Sequence, residues 1–151
     1  MSTLLVQSCS KSKDQARSPG PAFDIYSGYY YKILKKAIDE GAFDERLDVC
    51  ILSAEHGVLA PDDEIEVYDR KMDADRASQL REEVTADLRT QVERGDHDRI
   101  VINAGETYRA AIDTDPLPVP VHEVPGDGLG EKGHYLKRFI RGEAAVVMEE
   151  P

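Results

Sequence analysis

The sequence is poor in cysteine, has no tryptophan and contains no long apolar run. Its 151 residues include two cysteines, which are too few for a disulfide framework and indicate a reduced, cytoplasmic setting. No apolar stretch reaches the roughly 18 residues of a transmembrane helix, so we expect no membrane partner. The first residues, MSTLLVQSCSKSK, have no basic region ahead of an apolar one, and no secretory signal is predicted.

Several well-defined site patterns are also missing. The four histidines and two cysteines show no CxxC, HxH or HExxH spacing, so we predict neither a metal site nor a bound cofactor. The sequence has no Walker pattern GxxxxGK[ST], no Cys-x5-Arg loop of the thiol phosphatases and no GxSxG elbow. These absences argue against P-loop nucleotide hydrolysis, thiol-phosphatase chemistry and a serine-hydrolase triad.

Acidic residues outnumber basic ones, and the formal net charge is −11. One interpretation is a protein that repels nucleic acid and anionic membranes. The favoured alternative is a salt-adapted, halophile-like surface, because acidic residues are spread over the whole middle of the chain, lysine is sparse relative to arginine and tryptophan is absent. In concentrated salt the Debye length falls to roughly 3 Å at 1 M, and net charge then says little about partners. Basic residues are enriched near the two ends. Residues 1–40 hold six basic and four acidic side chains, and residues 131–141 hold four basic side chains and one acidic side chain.

Short apolar runs and turn residues predict the strands. Val119–Val124 is interrupted by Pro120, so we place that strand at a sheet edge. Residues 142–148 could add a last short strand. The predicted strands are Thr3–Val6, Leu47–Leu52, Arg99–Ile102 and Val119–Val124.

Apolar residues spaced three and four apart predict the helices. The first begins at Asp24 and stops at Gly41, and the second is capped by Asp73 or Asp75 and stops at Gly95. A short helix follows Asn103, and a last helix follows a glycine-rich turn. The second helix has an apolar stripe of Ala77, Leu80, Val84, Leu88 and Val92.

Strands and helices alternate along the whole chain. This order predicts an α/β fold, a three-layer, mostly parallel four- or five-stranded sheet with helices on both faces (Rossmann-like). We expect a single α/β domain over residues 1–148, with a tail at 149–151. In such sheets ligands bind beyond the carboxyl ends of the strands. That rule nominates four segments: Ser8–Lys13, Ser53–Gly57, Asn103–Tyr108 and Gly126–Lys132.

The first segment follows the first strand directly. Ser10, Lys11 and Lys13, with backbone N–H groups, suit a phosphate or carboxylate. Cys9 is a candidate nucleophile if a cation lowers its pKa, but a small buried thiol beside solvated lysines is the favoured interpretation.

The second segment supplies His56 and Glu55, an acid–base pair at a strand end, beside Ser53 and a sharp turn at Gly57. An exposed histidine without a catalytic role is the slightly favoured alternative. Tyr68 and Asp69, a pair later in the chain, are expected to fold back as a lid or to reach the site.

The other two segments are weaker candidates. Asn103 could read a base edge or cap the short helix, and Gly105 would let a ligand approach the backbone near Tyr108. The glycine-rich turn could cradle an anion. Its residues Gly128, Gly130 and Lys132 precede further cations that, with Lys11 and Lys13, predict one cationic patch; these are Lys137, Arg138 and Arg141.

Five blocks of the sequence together resemble a known family, the DUF6884-type proteins of bacteria, archaea and their viruses. The blocks are CSKSK from Cys9, DIYSG from Asp24, ILSAEHGVLAP from Ile51, VYD from Val67 and AGETYR from Ala104. The resemblance runs from about Leu4 to Phe139 and extends distantly to the YaaA group and to domains found near 7-deazaguanine modification enzymes. It implies nucleotide or nucleic-acid chemistry by association only.

Three functional hypotheses stay open. The first is an enzyme acting on a nucleotide or on a base in nucleic acid, with the N-glycosidic bond as one candidate. In it Ser10, Lys11 and Lys13 hold phosphate, Tyr26 or Tyr108 stacks on the base, and Asn103 reads that base. His56 or Glu55 serves as acid–base. The second is a nucleotide- or nucleic-acid-binding module without turnover, and the third is a protein-interaction adaptor. The oligomeric state is not predicted.

Overall fold

The computed structural model describes residues 2–143 and 145–148. It contains seven strands in chain order: β1 (Thr3–Ser8), β2 (Gly20–Pro21), β3 (Leu47–Ser53), β4 (Gly57–Leu59), β5 (Glu64–Ile65), β6 (Arg99–Asn103) and β7 (Val121–Glu123). The described helices, besides a 3-10 turn at Gln15–Arg17, are α1 (Ala22–Ile25), α2 (Tyr29–Asp39), α3 (Ala74–Gly95), α4 (Glu106–Arg109), α5 (Gly128–Ile140) and α6 (Ala145–Met148).

Five of the strands form one mostly parallel sheet in the order β4-β3-β1-β6-β7. Four strands run parallel to one another: β3, β1, β6 and β7. The fifth strand, β4, runs antiparallel to β3. The mixed α/β fold and the mainly parallel sheet are therefore as the sequence predicts. Strand β7 lies at the edge, as predicted from Pro120, which has no N–H to donate to a ladder and directly precedes the strand.

The strand order reverses direction at β1. From β1 the chain goes to β3 on one side, and it then crosses to β6 on the other side of β1. The point between the carboxyl ends of β1 and β6 is thus a switch point, where a crevice opens because the two connections leave in opposite directions. Ser8 and Asn103 are the last residues of these two strands.

Two apolar clusters enclose the central strand. Leu4 and Val6 of β1 belong to one cluster, which also contains the buried stripe of α3 predicted from the sequence. Leu5 belongs to the other, together with residues of α2 and α5 such as Leu34 and Leu136. Side chains of a strand point alternately to opposite faces, so the two clusters follow from the period-two pattern of β1.

The helix predicted from Asp24 is two helices, with a break at Ser27 and Gly28. Gly28 packs so closely on Ser10 that an added Cβ would lie 2.6 Å from the Ser10 Cβ. Its backbone N–H donates to Ser10 Oγ at 3.2 Å. This contact ties the loop after β1 to the start of α2, which explains why the apolar periodicity alone misplaces the helix start.

Three other expectations need correction. The glycine-rich turn at Gly128 and Gly130 is the beginning of α5 itself. Residues Ala145–Met148 are helical, so the last short strand predicted at 142–148 is wrong there. The long loop after β3 contains β4, and β5 pairs with β2 as a two-stranded ribbon. The predicted tail at 149–151 lies outside the described residues.

In the described part of the chain, no helix combines the length and the apolar character that a bilayer span demands.

Candidate functional site

A cavity of about 450 Å³ lies beside the residues that follow β1. We call it the strand-end cavity. One wall is the loop after β1, another is α4, which follows β6, and a third is the loop before α3. Because β1 and β6 flank the switch point, the cavity lies in the region that the topology nominates for a ligand. Its lining residues are Cys9, Ser10, Lys11, Lys13, Asp69, Arg70, Lys71 and Tyr108.

The lining of the strand-end cavity is cationic, although the protein is acidic overall. Lys11, Lys13, Arg70 and Lys71 are opposed by one carboxylate, that of Asp69. Several charges of one sign that converge on a concave surface raise the local potential, so this lining favours an anion more than the net charge of −11 suggests. An arginine and lysines together suit phosphate oxygens.

The thiol of Cys9 and the phenol of Tyr108 meet in this cavity. Cys9 Sγ and Tyr108 Oη are 3.2 Å apart, and either atom can be the donor. Cys9 is held at the end of β1 by its backbone N–H, which donates to the Leu52 carbonyl at 2.9 Å. Burial raises the pKa of Tyr108, and its hydrogen bond with Cys9 adds to the rise. The phenol is therefore protonated at neutral pH.

Behind the cavity a hydrogen-bonded chain joins Ser53, Tyr68 and Tyr26. Ser53 Oγ accepts the N–H groups of Glu55 at 3.1 Å and His56 at 3.0 Å. With both lone pairs used, its hydroxyl donates to Tyr68 Oη at 2.8 Å. Tyr68 then donates to Tyr26 Oη at 2.6 Å. Burial raises the pKa of Tyr26 to about 12, so this chain keeps its protons at neutral pH.

Lys13 connects the chain of phenols to the cavity. Its Nζ lies 4.4 Å from the centre of the Tyr68 ring and 5.9 Å from that of Tyr26. A cation over aromatic rings at these distances is attracted by their negative faces. The predicted lid residue Tyr68 therefore lies against the site, and its neighbour Asp69 lines the cavity.

His56 and Glu55 lie outside the residues that line the cavity. His56 is exposed, and its ring meets the Tyr68 ring edge-on with the centroids 5.3 Å apart. Glu55 Oε1 accepts from Arg70 Nη1 at 3.2 Å, so it reaches the cavity through a lining cation. Gly57, with φ of +75°, makes the sharp turn that the sequence predicts.

Asn103 does not take the capping role considered for it in the sequence. It is buried, and its Nδ2 donates to Gln7 Oε1 at 2.9 Å across the paired strands β1 and β6. The N-cap of α4 is Gly105, with no side-chain cap, so the capping prediction is wrong. Asn103 is also absent from the lining of the strand-end cavity. Gly105 has open space where a Cβ would be.

The single cationic patch predicted from the sequence is divided. Lys11 and Lys13 line the strand-end cavity, whereas Lys137 and Arg141 line a different groove that shares no lining residue with it. Arg138 pairs with Glu143 at 3.0 Å. Gly130 lines that groove, while Gly128 and Lys132 line neither cavity. Ser10 uses its hydroxyl to donate to the Ser12 carbonyl at 2.6 Å.

Three residues that shape the site carry no recognisable signal in the sequence. Arg70 and Lys71 lie in the loop between β5 and α3 and line the strand-end cavity. Arg76 of α3 donates from Nε to the Ala54 carbonyl at 2.7 Å and from Nη2 to the Glu55 carbonyl at 2.8 Å, which fixes the loop after β3. Within residues 2–143 and 145–148, no three histidine, cysteine or carboxylate side chains are grouped as metal ligands.

The fold and the site define a class: a mixed α/β protein with a cation-lined cavity at the carboxyl ends of a mostly parallel sheet. Residues 4–138 match the model of a family of unknown function, DUF6884, and the chain belongs to this family. No curated protein matches the chain. The family match covers every residue of the strand-end cavity.

Proposed function

We propose that the protein is a three-layer, Rossmann-like enzyme that binds a nucleotide, or a nucleotide unit of a nucleic acid, in the strand-end cavity. The observation that carries the proposal is the position of four cations, one carboxylate and a thiol–phenol pair at the switch point of the sheet. The three-layer arrangement is supported by the two clusters, one with α3 and one with α2 and α5. The proposal includes the distant kinship to the YaaA group and the cytoplasmic location expected from the sequence.

The phosphate of the ligand is assigned to Lys11, Arg70 and Lys71. Arg70 is oriented by Glu55 at 3.2 Å, which leaves its remaining N–H groups for phosphate oxygens. Lys13 is held over the tyrosine rings, and its positive charge attracts the phosphate without direct contact. Tyr108, half-buried in the cavity wall, offers a ring on which a base can stack.

The reaction proposed is hydrolysis of the N-glycosidic bond. The bond between C1′ and the base nitrogen breaks, and its electron pair stays on the base. Asp69, the one carboxylate of the lining, stabilises the positive charge that develops on the sugar and accepts a proton from the attacking water. The Cys9 thiol, hydrogen-bonded to Tyr108, donates a proton to the leaving base, and the products are the free base and the sugar phosphate.

His56 and Glu55 have supporting roles in this proposal. Glu55 acts through Arg70, and His56 packs on Tyr68, which holds the phenol chain beside Lys13. Direct acid–base work by His56 would require a ligand that extends past Tyr68. The variant His56→Ala distinguishes a supporting role of His56 from direct acid–base catalysis by it. If Asp69 does the chemistry, the turnover of this variant stays within a few-fold of wild type.

The test uses the common ribo- and deoxyribonucleoside 5′-monophosphates, with release of base followed by chromatography. Ligand at 100 times its Kd adds about 2.7 kcal/mol of stability, which a thermal-shift assay resolves. Asp69→Asn is expected to retain binding and lose turnover by about 10²-fold or more. Lys11→Gln weakens binding, and Arg89→Gln on α3 is the control of equal charge.

A second candidate is a nucleotide-binding module without turnover. It is favoured by one observation: among the described residues, Tyr108 is the hydrogen-bond partner found for Cys9, and neither a carboxylate nor a histidine is bonded to that thiol. Binding of monophosphates without base release, in wild type and Asp69→Asn alike, would select this candidate. Failure of every monophosphate to bind would reject both.

A further inference from the structure

A second cationic groove lies between α2 and α5, two helices that pack against each other. We call it the α2–α5 groove. Its volume is about 450 Å³, similar to that of the strand-end cavity. Its cations come from the two segments that are basic in the sequence, residues 1–40 and 131–141. The lining residues are Tyr29, Lys32, Ile33, Lys36, Gly130, Gly133, His134, Lys137 and Arg141.

No residue in the lining of this groove is acidic. Lys32, Lys36 and Lys137 are exposed, and none of them has a carboxylate within 4.0 Å among the described residues. One carboxylate contacts a cation of the groove: Glu40 Oε1 accepts from Arg141 Nη2 at 2.8 Å. That hydrogen bond lowers the pKa of Glu40, and the charges of Arg141, Lys36 and Lys137 lower it further. Three cations thus surround one carboxylate.

The cations form two rows with helical spacing. Lys32 and Lys36 are four residues apart on α2, and Lys137 and Arg141 are four residues apart at the end of α5. Four residues rise about 6 Å along a helix and lie on the same face. Successive phosphates of an extended strand have a spacing of this order. Two such rows facing a groove therefore match a chain of phosphates better than a single anion.

An aromatic ring lies in the groove beside the cations. The Tyr29 ring packs against α5 at Gly133, yet the side chain is 43% exposed. A Cβ on Gly133 would be 2.4 Å from the Tyr29 Oη, so glycine at that position is what lets the ring lie in the groove. An exposed, supported ring next to cations is what a nucleobase stacks on.

We propose that the α2–α5 groove binds the phosphodiester backbone of single-stranded nucleic acid, with one base stacked on Tyr29. The lysines of both helices contact successive phosphates, and Arg141 is oriented for this by Glu40. A groove between two packed helices admits one extended strand, whereas a duplex would touch only its rim. This inference uses none of the residues of the strand-end cavity, and it stands or fails separately from the proposed reaction.

The test measures anisotropy of a dye-labelled single-stranded oligothymidylate as salt is varied, over the range in which circular dichroism shows the protein folded. On single strands each neutralised phosphate contributes about −0.7 to the slope of log K against log salt. The four cations predict a slope of about −2.8, and the double variant Lys32→Gln/Lys36→Gln a slope of about −1.4. The matched double variant Arg89→Gln/Arg94→Gln on α3 is expected to keep the wild-type slope.

The aromatic contact is tested on its own. Tyr29→Ala is expected to weaken binding about ten-fold without changing the salt slope, since one stacked base is lost and no charge is removed. Tyr29→Phe restores the affinity. No binding of the oligonucleotide, equal losses in the α2 and α3 variants, tighter binding of a duplex of the same length, or binding only to phosphatidylserine-containing vesicles would each overturn the proposal.

Discussion

The thiol of Cys9 and the phenol of Tyr108 are 3.2 Å apart, although 99 positions separate them in the chain. Cys9 lies in the loop after β1 and Tyr108 lies in α4, which follows β6, and their meeting follows from the parallel pairing of those strands. The other thiol, Cys50, is fully buried within β3. The two cysteines of the chain therefore have opposite environments, which gives the site a residue-level test.

Alkylation by iodoacetamide at pH 8 is expected to modify one thiol per native chain and two per unfolded chain. Cys9 is partly exposed in a cavity, whereas burial raises the pKa of Cys50 to about 12 and removes it from solvent. Peptide mass spectrometry identifies the modified residue, with Cys9→Ser as the control that leaves no native site. Equal modification rates for both cysteines would contradict the placement of β3 in the sheet centre.

Cavity residues such as Cys9, Lys11 and Lys13 could be nominated from the sequence because the apolar run before them marks a strand end. Asp69 could be nominated only as part of a loop expected to fold back to the site. Arg70 and Lys71 could not be found, because their place in the cavity depends on contacts of a loop distant from any strand end. Asn103 is at the predicted position, but the side chain is turned to Gln7 inside the sheet.

Helix α3 is the element that holds the loop after β3. Its first turn is fixed by Asp73, whose side chain accepts the Arg76 N–H at 2.7 Å. Arg76 in turn donates to two carbonyls of the loop at Ala54 and Glu55. The N-cap therefore stabilises both the helix and the wall that orients Arg70 through Glu55.

Replacement of the cap, Asp73→Ala, is expected to lower the free energy of unfolding by about 1 kcal/mol, because one N–H of the first turn loses its acceptor. Urea unfolding followed by circular dichroism measures the change. Asp73→Asn keeps a side-chain acceptor, so the free energy of unfolding should fall by only a small part of the loss caused by Asp73→Ala. Asp75→Ala removes a charge of the first turn but no cap; if it cost as much as Asp73→Ala, the assignment of Asp73 as the cap would be wrong.

Long elements with a regular apolar pattern could be predicted from the sequence, whereas very short elements could not. The stripe of α3 from Ala77 to Val92 is buried as predicted, since about four turns of one pattern leave little ambiguity. Strands β2 and β5 have two residues each, too few for any periodicity, and they exist because they pair with each other. The start of α5 was misplaced because Gly128 and Gly130 have low helix propensity and are typical of turns.

At the scale of the whole molecule, the order of the strands determines which loops meet. Alternating strands and helices predicted a mostly parallel sheet, but the pattern does not say which strand lies beside which. The order β4-β3-β1-β6-β7 places β1 and β6 side by side and opens the crevice between them. It also separates the basic residues into two sites, because α2 and α5 pack together away from the lining of the strand-end cavity.

The central claim is that the strand-end cavity binds a phosphorylated ligand, and an NMR titration with a nucleoside 5′-monophosphate tests it most directly. The account predicts that the largest amide shifts occur at Cys9, Lys11, Arg70, Lys71 and Tyr108, that the nucleoside without phosphate shifts them far less, and that Lys11→Gln weakens the titration. Shifts confined to residues outside this set, or equal shifts with and without the phosphate, would contradict it.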